Sequence, residues 1–194
     1  MRAMTTFSRG LAGAAIGLAV IASFAGCRAD APGSATAPVK APASAAKEER
    51  RPPERVGEVT FENVLSREDQ LASGERTSPY VNLAGPEHAI ATLIDPDRIV
   101  VERVSVVVHV DYPLKRPVKE TLVAPSPRGF TRAELARAIA RLYARIYAEE
   151  ERTARVKTVP RAQRRPILNR NETDGTYGIW GHDLSDLDLH TVTV

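Results

Sequence analysis

The stretch Thr131-Arg132-Ala133-Glu134-Leu135-Ala136-Arg137-Ala138-Ile139-Ala140-Arg141-Leu142-Tyr143-Ala144-Arg145-Ile146-Tyr147 reads as one amphipathic helix. Thr131 and Glu134 have the spacing of a capping box, in which each side chain satisfies a backbone donor that the first helical turn leaves unpaired. Leu135, Ile139, Leu142, Tyr143, Ile146 and Tyr147 recur at helical spacing and form a continuous apolar stripe. Both tyrosines are therefore read as core residues. Arg137, Arg141 and Arg145 run down another face. Glu149, Glu150 and Glu151 follow, and three carboxylates oppose the negative end of the helix dipole, which predicts a frayed end.

A stripe of this kind needs an apolar surface to cover, and the preceding sequence supplies one. In Ile99 to Tyr112, Val100, Val104, Val106, Val108, Val110 and Tyr112 fall on one face, interrupted by Glu102. Arg103, Ser105, His109 and Asp111 fall on the other, with Val107 as the exception. Period two is the mark of a half-buried strand in an antiparallel sheet. The prolines of Tyr112-Pro113-Leu114-Lys115-Arg116-Pro117 break the ladder, and Val118 to Val123 is expected to return as a second strand. Gly57 to Phe61 is a weaker strand candidate, and Pro86 to Ile94 suits a short helix or a strand. The expected fold is α+β: a small antiparallel sheet with one long amphipathic helix packed on it.

Upstream of this domain the chain changes character. Arg2 and Arg9 precede an apolar run, Leu11 to Gly26, which ends in Phe24-Ala25-Gly26-Cys27 with the single cysteine of the chain. A basic start, an apolar middle and a small-residue exit make a secretory signal. The run is sixteen residues, shorter than the roughly 20 that cross a bilayer as a helix. Closed by Cys27, it resembles a bacterial lipoprotein signal peptide. That resemblance implies removal of residues 1–26 and a Cys27 carrying a thioether-linked diacylglycerol and an amide-linked acyl chain. Two or more acyl chains anchor a protein stably where one does not. Family sorting patterns place Asp after the cysteine in proteins kept at the inner membrane. Here Arg28 follows, which implies an outer-membrane protein facing the periplasm if the cell is Gram-negative. Ser23-Phe24-Ala25 also permits ordinary cleavage after Ala25, which would release a soluble secreted domain. Arg2 and Arg9 are too far apart for a twin-arginine signal.

Residues 27–55 are dominated by Ala, Pro, Ser and charged residues, with Val39 as the bulkiest aliphatic before Pro53. Such a segment buries too little apolar surface to offset its conformational entropy and reads as a disordered tether. One domain is expected over 56–194. Arg2 and Arg9 account for two of the 27 basic residues, so 25 face 24 acidic ones after processing, and the near-neutral balance gives no reason to expect nucleic acid. A chain with a single cysteine makes no internal disulfide, so the fold stands on its core.

Charge is segregated towards the C-terminus. Arg152 to Arg170 holds seven basic residues and no acidic one, whereas Asn171 to Val194 holds five acidic residues and no Lys or Arg. The two blocks either neutralise one another or leave arginines free to bind an anion. Between them, Asn169 to Leu184 contains Gly175, Gly178 and Gly181, the single tryptophan Trp180, and His182-Asp183. Taking Gly175 as the sixth position of an EF-hand puts Arg170 first and Gly181 twelfth, which excludes that loop. Gly129-Phe130-Thr131-Arg132 and Tyr177 to Leu184 resemble parts of an uncharacterised domain family, and that likeness carries no activity or catalytic residue over.

The sequence contains neither a nucleophile elbow, nor a P-loop, nor a dinucleotide fingerprint. Trp180 is expected to plug the core or shape a turn. Asp186 to Val194 alternates as a strand would, placing Asp186, Asp188 and His190 on one face. The expectation is a lipid-anchored envelope protein whose domain is a non-catalytic binding or structural module, with no cofactor. Its partners would be the membrane, through Cys27, and an anionic envelope ligand or a protein. The candidate ligand surface is Arg161, Arg164, Arg165 and Arg170 with Trp180, His182 and Asp183. The alternative is a small metal-dependent or hydrolytic enzyme centred on His182-Asp183, with Asp186 and His190 as further metal ligands.

Overall fold

The computed structural model describes residues 57–165 and 169–194 in full and the backbone of residues 14–21. In chain order the elements are β1 (Ala14–Ile21), β2 (Glu58–Thr60), β3 (Asn63–Val64), α1 (Arg67–Ser73), β4 (Thr77–Ser78), β5 (Val81–Asn82) and α2 (Pro86–Ile90). They continue as β6 (Ile99–Val101), β7 (Ser105–Val110), β8 (Val118–Val123), β9 (Phe130–Thr131), α3 (Arg132–Thr153) and β10 (Leu187–Thr193). The principal sheet has the order β2-β10-β1-β7-β8, with β5 also pairing β10. Its ladders are antiparallel except for β1 with β10. Two small ribbons, β3-β4 and β6-β9, complete an α+β architecture.

α3 starts where its capping box predicts. The Thr131 hydroxyl oxygen accepts from the Glu134 backbone N–H at 3.2 Å, and the Glu134 carboxylate accepts from the Thr131 N–H at 2.9 Å. Leu135, Ile139, Leu142, Tyr143 and Ile146 are buried, joining Val106, Val108, Val110, Leu187, Leu189 and Val192 in one apolar core. Each such aliphatic contributes about 1.5–3 kcal/mol by leaving water. The end of α3 departs from expectation. It is not frayed: Glu149 pairs with Arg152, and Glu150 is fully buried.

The Ile99 to Tyr112 segment forms two strands rather than one. β6 pairs with β9 in its own ribbon, and the principal sheet begins only at Ser105. Val106, Val108 and Val110 are buried as the alternation predicts, but the break at 102–104 shifts the parity. Val104 is exposed, and Val101 is buried in the core while Val100 packs half-buried against it. The crossing depends on Gly129, whose φ is +101° and where a Cβ would overlap the Val101 carbonyl oxygen. β8 spans Val118–Val123 and returns as expected. Pro86 opens α2, as proline suits a first helical position, which resolves that segment as helix.

At the C-terminus, Asp186 lies in a 3-10 turn, Leu184–Asp186, and not on the strand that follows. Leu187, Leu189 and Val192 of β10 are buried, so the alternation slips once, where the pairing with β1 shifts register between Ile16 and Gly17. Cys27 and the expected tether lie outside the described residues. Among the described residues, no helix is long and apolar enough to cross a membrane.

Candidate functional site

The glycine-rich loop is built around Glu150. Its Oε1 accepts from the Thr173 hydroxyl at 2.6 Å and the Gly175 N–H at 2.8 Å. Its Oε2 accepts from the N–H groups of Tyr177 at 2.7 Å and Gly178 at 3.0 Å. A carboxylate near a helix C-terminus is ordinarily unfavourable, and four donors supply the compensation. Burial pushes the Glu150 carboxyl up, but the bonds from Thr173, Tyr177, Gly178 and Gly175 outweigh it and hold the group below its usual range. A Cβ at Gly175 would lie 2.6 Å from the Glu150 carbonyl oxygen and 2.8 Å from its carboxyl carbon, so glycine is needed there.

A second centre sits at the other end of the loop. Asp183 accepts a two-pronged bond from Arg164, Oδ2 from Nη1 at 2.6 Å and Oδ1 from Nη2 at 2.8 Å. The Arg164 guanidinium keeps the Asp183 carboxyl below the ordinary carboxylate range. Arg170 Nε lies 3.8 Å from the same carboxylate. Arg170 also donates to Thr173 Oγ1, the Ile179 carbonyl and Thr158 Oγ1, and its guanidinium lies 5.6 Å from the Tyr147 ring centre. Arg161 reaches Asp186 at 3.0 Å.

The basic and acidic blocks thus interlock. Of the four arginines expected to line an anion surface, Arg164 and Arg170 are buried and directed inward, with Asp183 between them. Arg161 and Arg165 stay exposed.

Of the two roles expected of Trp180, core plug or turn former, the first does not hold, because it is 40% exposed. Its ring meets Tyr112 edge-on at 5.4 Å and 82°, and the His182 ring lies 5.6 Å from Tyr112 on a tilted plane. This rim joins the turn after β7 to the loop before β10. Trp180 N–H donates to the Pro113 carbonyl, Lys115 N–H to Gly178 and Arg116 N–H to Tyr177. From beneath, Tyr143 Oη donates to the Tyr112 carbonyl and Tyr147 Oη to the His182 carbonyl, each at 2.9 Å. Burial pushes both phenols upward, so they remain donors. Sequence reasoning missed Glu150 and Tyr112. The only signal for Glu150 was its spacing, four residues after Ile146 and seven after Tyr143, which puts it in line with the apolar stripe, and its donors stand 23 to 28 residues away.

His182, Asp183, Asp186 and His190 do not converge. Asp183 and Asp186 are held by Arg164 and Arg161, whereas the His190 ring faces Tyr80 at 5.7 Å and bonds Thr191 Oγ1 at 2.8 Å. Asp188 accepts from the Asn82 amide. Among the described residues, no three His, Cys, Asp or Glu side chains come together as metal ligands would. A recess of about 510 Å³ lies elsewhere, against α1, lined by Arg67, Gln70, Leu71, Gly74, Glu75 and Arg76.

No family model, curated protein or solved structure matches this chain. The functional reading therefore rests on its own residues.

Proposed function

We propose that this chain is a lipid-anchored protein of the bacterial cell envelope whose domain is a non-catalytic binding module. The observation that carries the binding reading is the exposed indole of Trp180, set edge-on against Tyr112 beside His182. A large aromatic side chain left in water on a rigid rim offers a flat apolar face, the feature that recognition surfaces favour. The exposed Arg161 and Arg165, one of them bound to Asp186 of the adjoining turn, bring positive charge to the same loop system. An exposed indole suits the face of a sugar ring, and an anionic envelope glycan is the ligand class that would also engage the exposed arginines. Both oxygens of Asp183 engage Arg164, which supports binding over acid–base chemistry.

The domain reading is tested by titrating anionic envelope glycans against the wild type and Trp180→Ala. The exposed indole contributes little to the core, so the variant is expected to melt as the wild type does and to bind at least about tenfold more weakly, a change of about 1.4 kcal/mol. Equal affinities would remove Trp180 from the site. The anchor is tested separately, by the mass of the mature N-terminus. A diacylated and acylated Cys27 is expected, and an unmodified start at Gly26 would make the domain a free secreted protein.

A further inference from the structure

β1 lies inside the segment that the lipoprotein resemblance would remove, yet its backbone fills an interior position of the principal sheet. It runs parallel to β10 from Ala14 opposite Leu187 to Ala19 opposite Thr193. It also runs antiparallel to β7, with Ala19, Val20 and Ile21 opposite His109, Val108 and Val107. No ladder joins β7 directly to β10. Removal of residues 1–26 therefore uncovers the β10 edge over 187–193 and the β7 edge over 107–109, staggered so that both flank β1 only at Ala19, where they stand about 9–10 Å apart, twice the spacing of neighbouring strands. Each edge then presents unpaired backbone donors and acceptors.

One end of this slot is fixed by contacts that β1 does not make. Leu114 bridges Ile179, the backbone N–H groups of Lys115, Arg116 and Trp180 bond across the same junction, and Tyr143 and Tyr147 of α3 hold Tyr112 and His182. These ties resist closure of β7 onto β10. The tether downstream of Cys27 is a poor substitute for β1. Prolines at 32, 38 and 42 cannot donate to an interior ladder, and the longest proline-free run, 43–51, ends in Lys47-Glu48-Glu49-Arg50-Arg51.

Resting on leader removal as part of the reading above, we infer that the processed domain is a strand acceptor. The slot between β7 and β10 takes an extended, uncharged segment of about eight residues from another envelope polypeptide, rich in alanine, glycine and branched aliphatics, parallel to β10. The chemistry of the occupant is that of Ala14-Ala15-Ile16-Gly17-Leu18-Ala19-Val20-Ile21, which the slot already holds. Backbone bonds to β10 along most of the segment and to β7 at its C-terminal end give affinity, as in other strand-addition complexes.

The full chain is produced in a bacterial host, purified from its membranes or medium, and its intact mass read first. Retention of residues 1–26 would make β1 permanent and overturn the inference. A start at Cys27 with lipid, or at Gly26 without it, opens the slot in either case, so the anchor can fail while this inference stands. A labelled peptide of the Ala14 to Ile21 sequence with flanking lysines is then titrated against the processed protein, with exchange followed at those amides of 107–109 and 187–193 that face the slot rather than β8, β2 or β5. Saturable binding is expected, with exchange of these amides slowed at least tenfold and affinity lowered at least tenfold by Gly17→Pro in the peptide. Absence of binding, indifference to that proline, or amides already protected without peptide would overturn the proposal. So would a self-dimer that buries the slot.

Discussion

At Glu150 a single carboxylate organises a loop of the chain more than twenty residues away, because one side chain offers acceptors enough for Thr173, Gly175, Tyr177 and Gly178. Glu150→Gln keeps the size but turns an –NH2 group towards two of those donors. Leaving buried donors unsatisfied is expected to cost about 2–4 kcal/mol, read from urea unfolding at neutral pH. The pH dependence follows from the direction of the shifts. Glu150 and Asp183 both hold their protons less readily when folded than when unfolded. Their contribution is therefore fully present above the unfolded carboxyl values near about 4 and is lost as pH falls through the lower folded values. Wild-type stability should fall on that acid limb, and Glu150→Gln should flatten it. An acid limb of unchanged slope would show that the loop does not depend on the ionised carboxylate.

At the scale of elements, α3 serves as a pin as well as a cover. Tyr143 and Tyr147, one helical turn apart, reach through the core to the Tyr112 and His182 carbonyls on the two sides of the rim. Tyr143→Phe and Tyr147→Phe are each expected to lower stability by about 1 kcal/mol. The more telling readout is faster amide exchange at Leu114 and Gly181, near the pinned carbonyls, with exchange in the middle of α3 unchanged. Uniform acceleration along α3 would assign the tyrosines to the core alone. The helix, its cap and its buried stripe were legible in the sequence because capping and periodicity act within a few residues. β8 was legible for the same reason. The division of Ile99 to Tyr112 into β6 and β7 was not, because it is imposed by the crossing of β9 at Gly129.

Across the whole molecule, the segregated charge blocks become one interlocked structure, so nominally similar arginines carry unequal weight. Arg164→Met removes both close donors of the partly buried Asp183, leaving Arg170 at 3.8 Å, and is expected to cost about 2–3 kcal/mol, whereas Arg165→Met on the exposed side should stay within about 0.5 kcal/mol. Thermal melts of the two variants check this directly, and equal melting points would mean the Arg164–Asp183 pair is not structural. The sequence displayed the blocks, but their convergence depends on folding together Arg164 and Asp183, which stand 19 positions apart. It also displayed Trp180 without revealing which way the indole faced, since a tryptophan between glycines suits a core plug and a surface rim equally. By itself the sequence determined the α+β class, the long capped helix and the apolar faces, all of which arise from propensity and period over short range. Only the tertiary structure decided that Glu150 is a buried anchor, that Arg164 and Arg170 turn inward, that Trp180 faces water, and that β1 stands between β7 and β10. Those outcomes come from long-range desolvation and strand pairing, in which each group's partner is chosen by the completed fold.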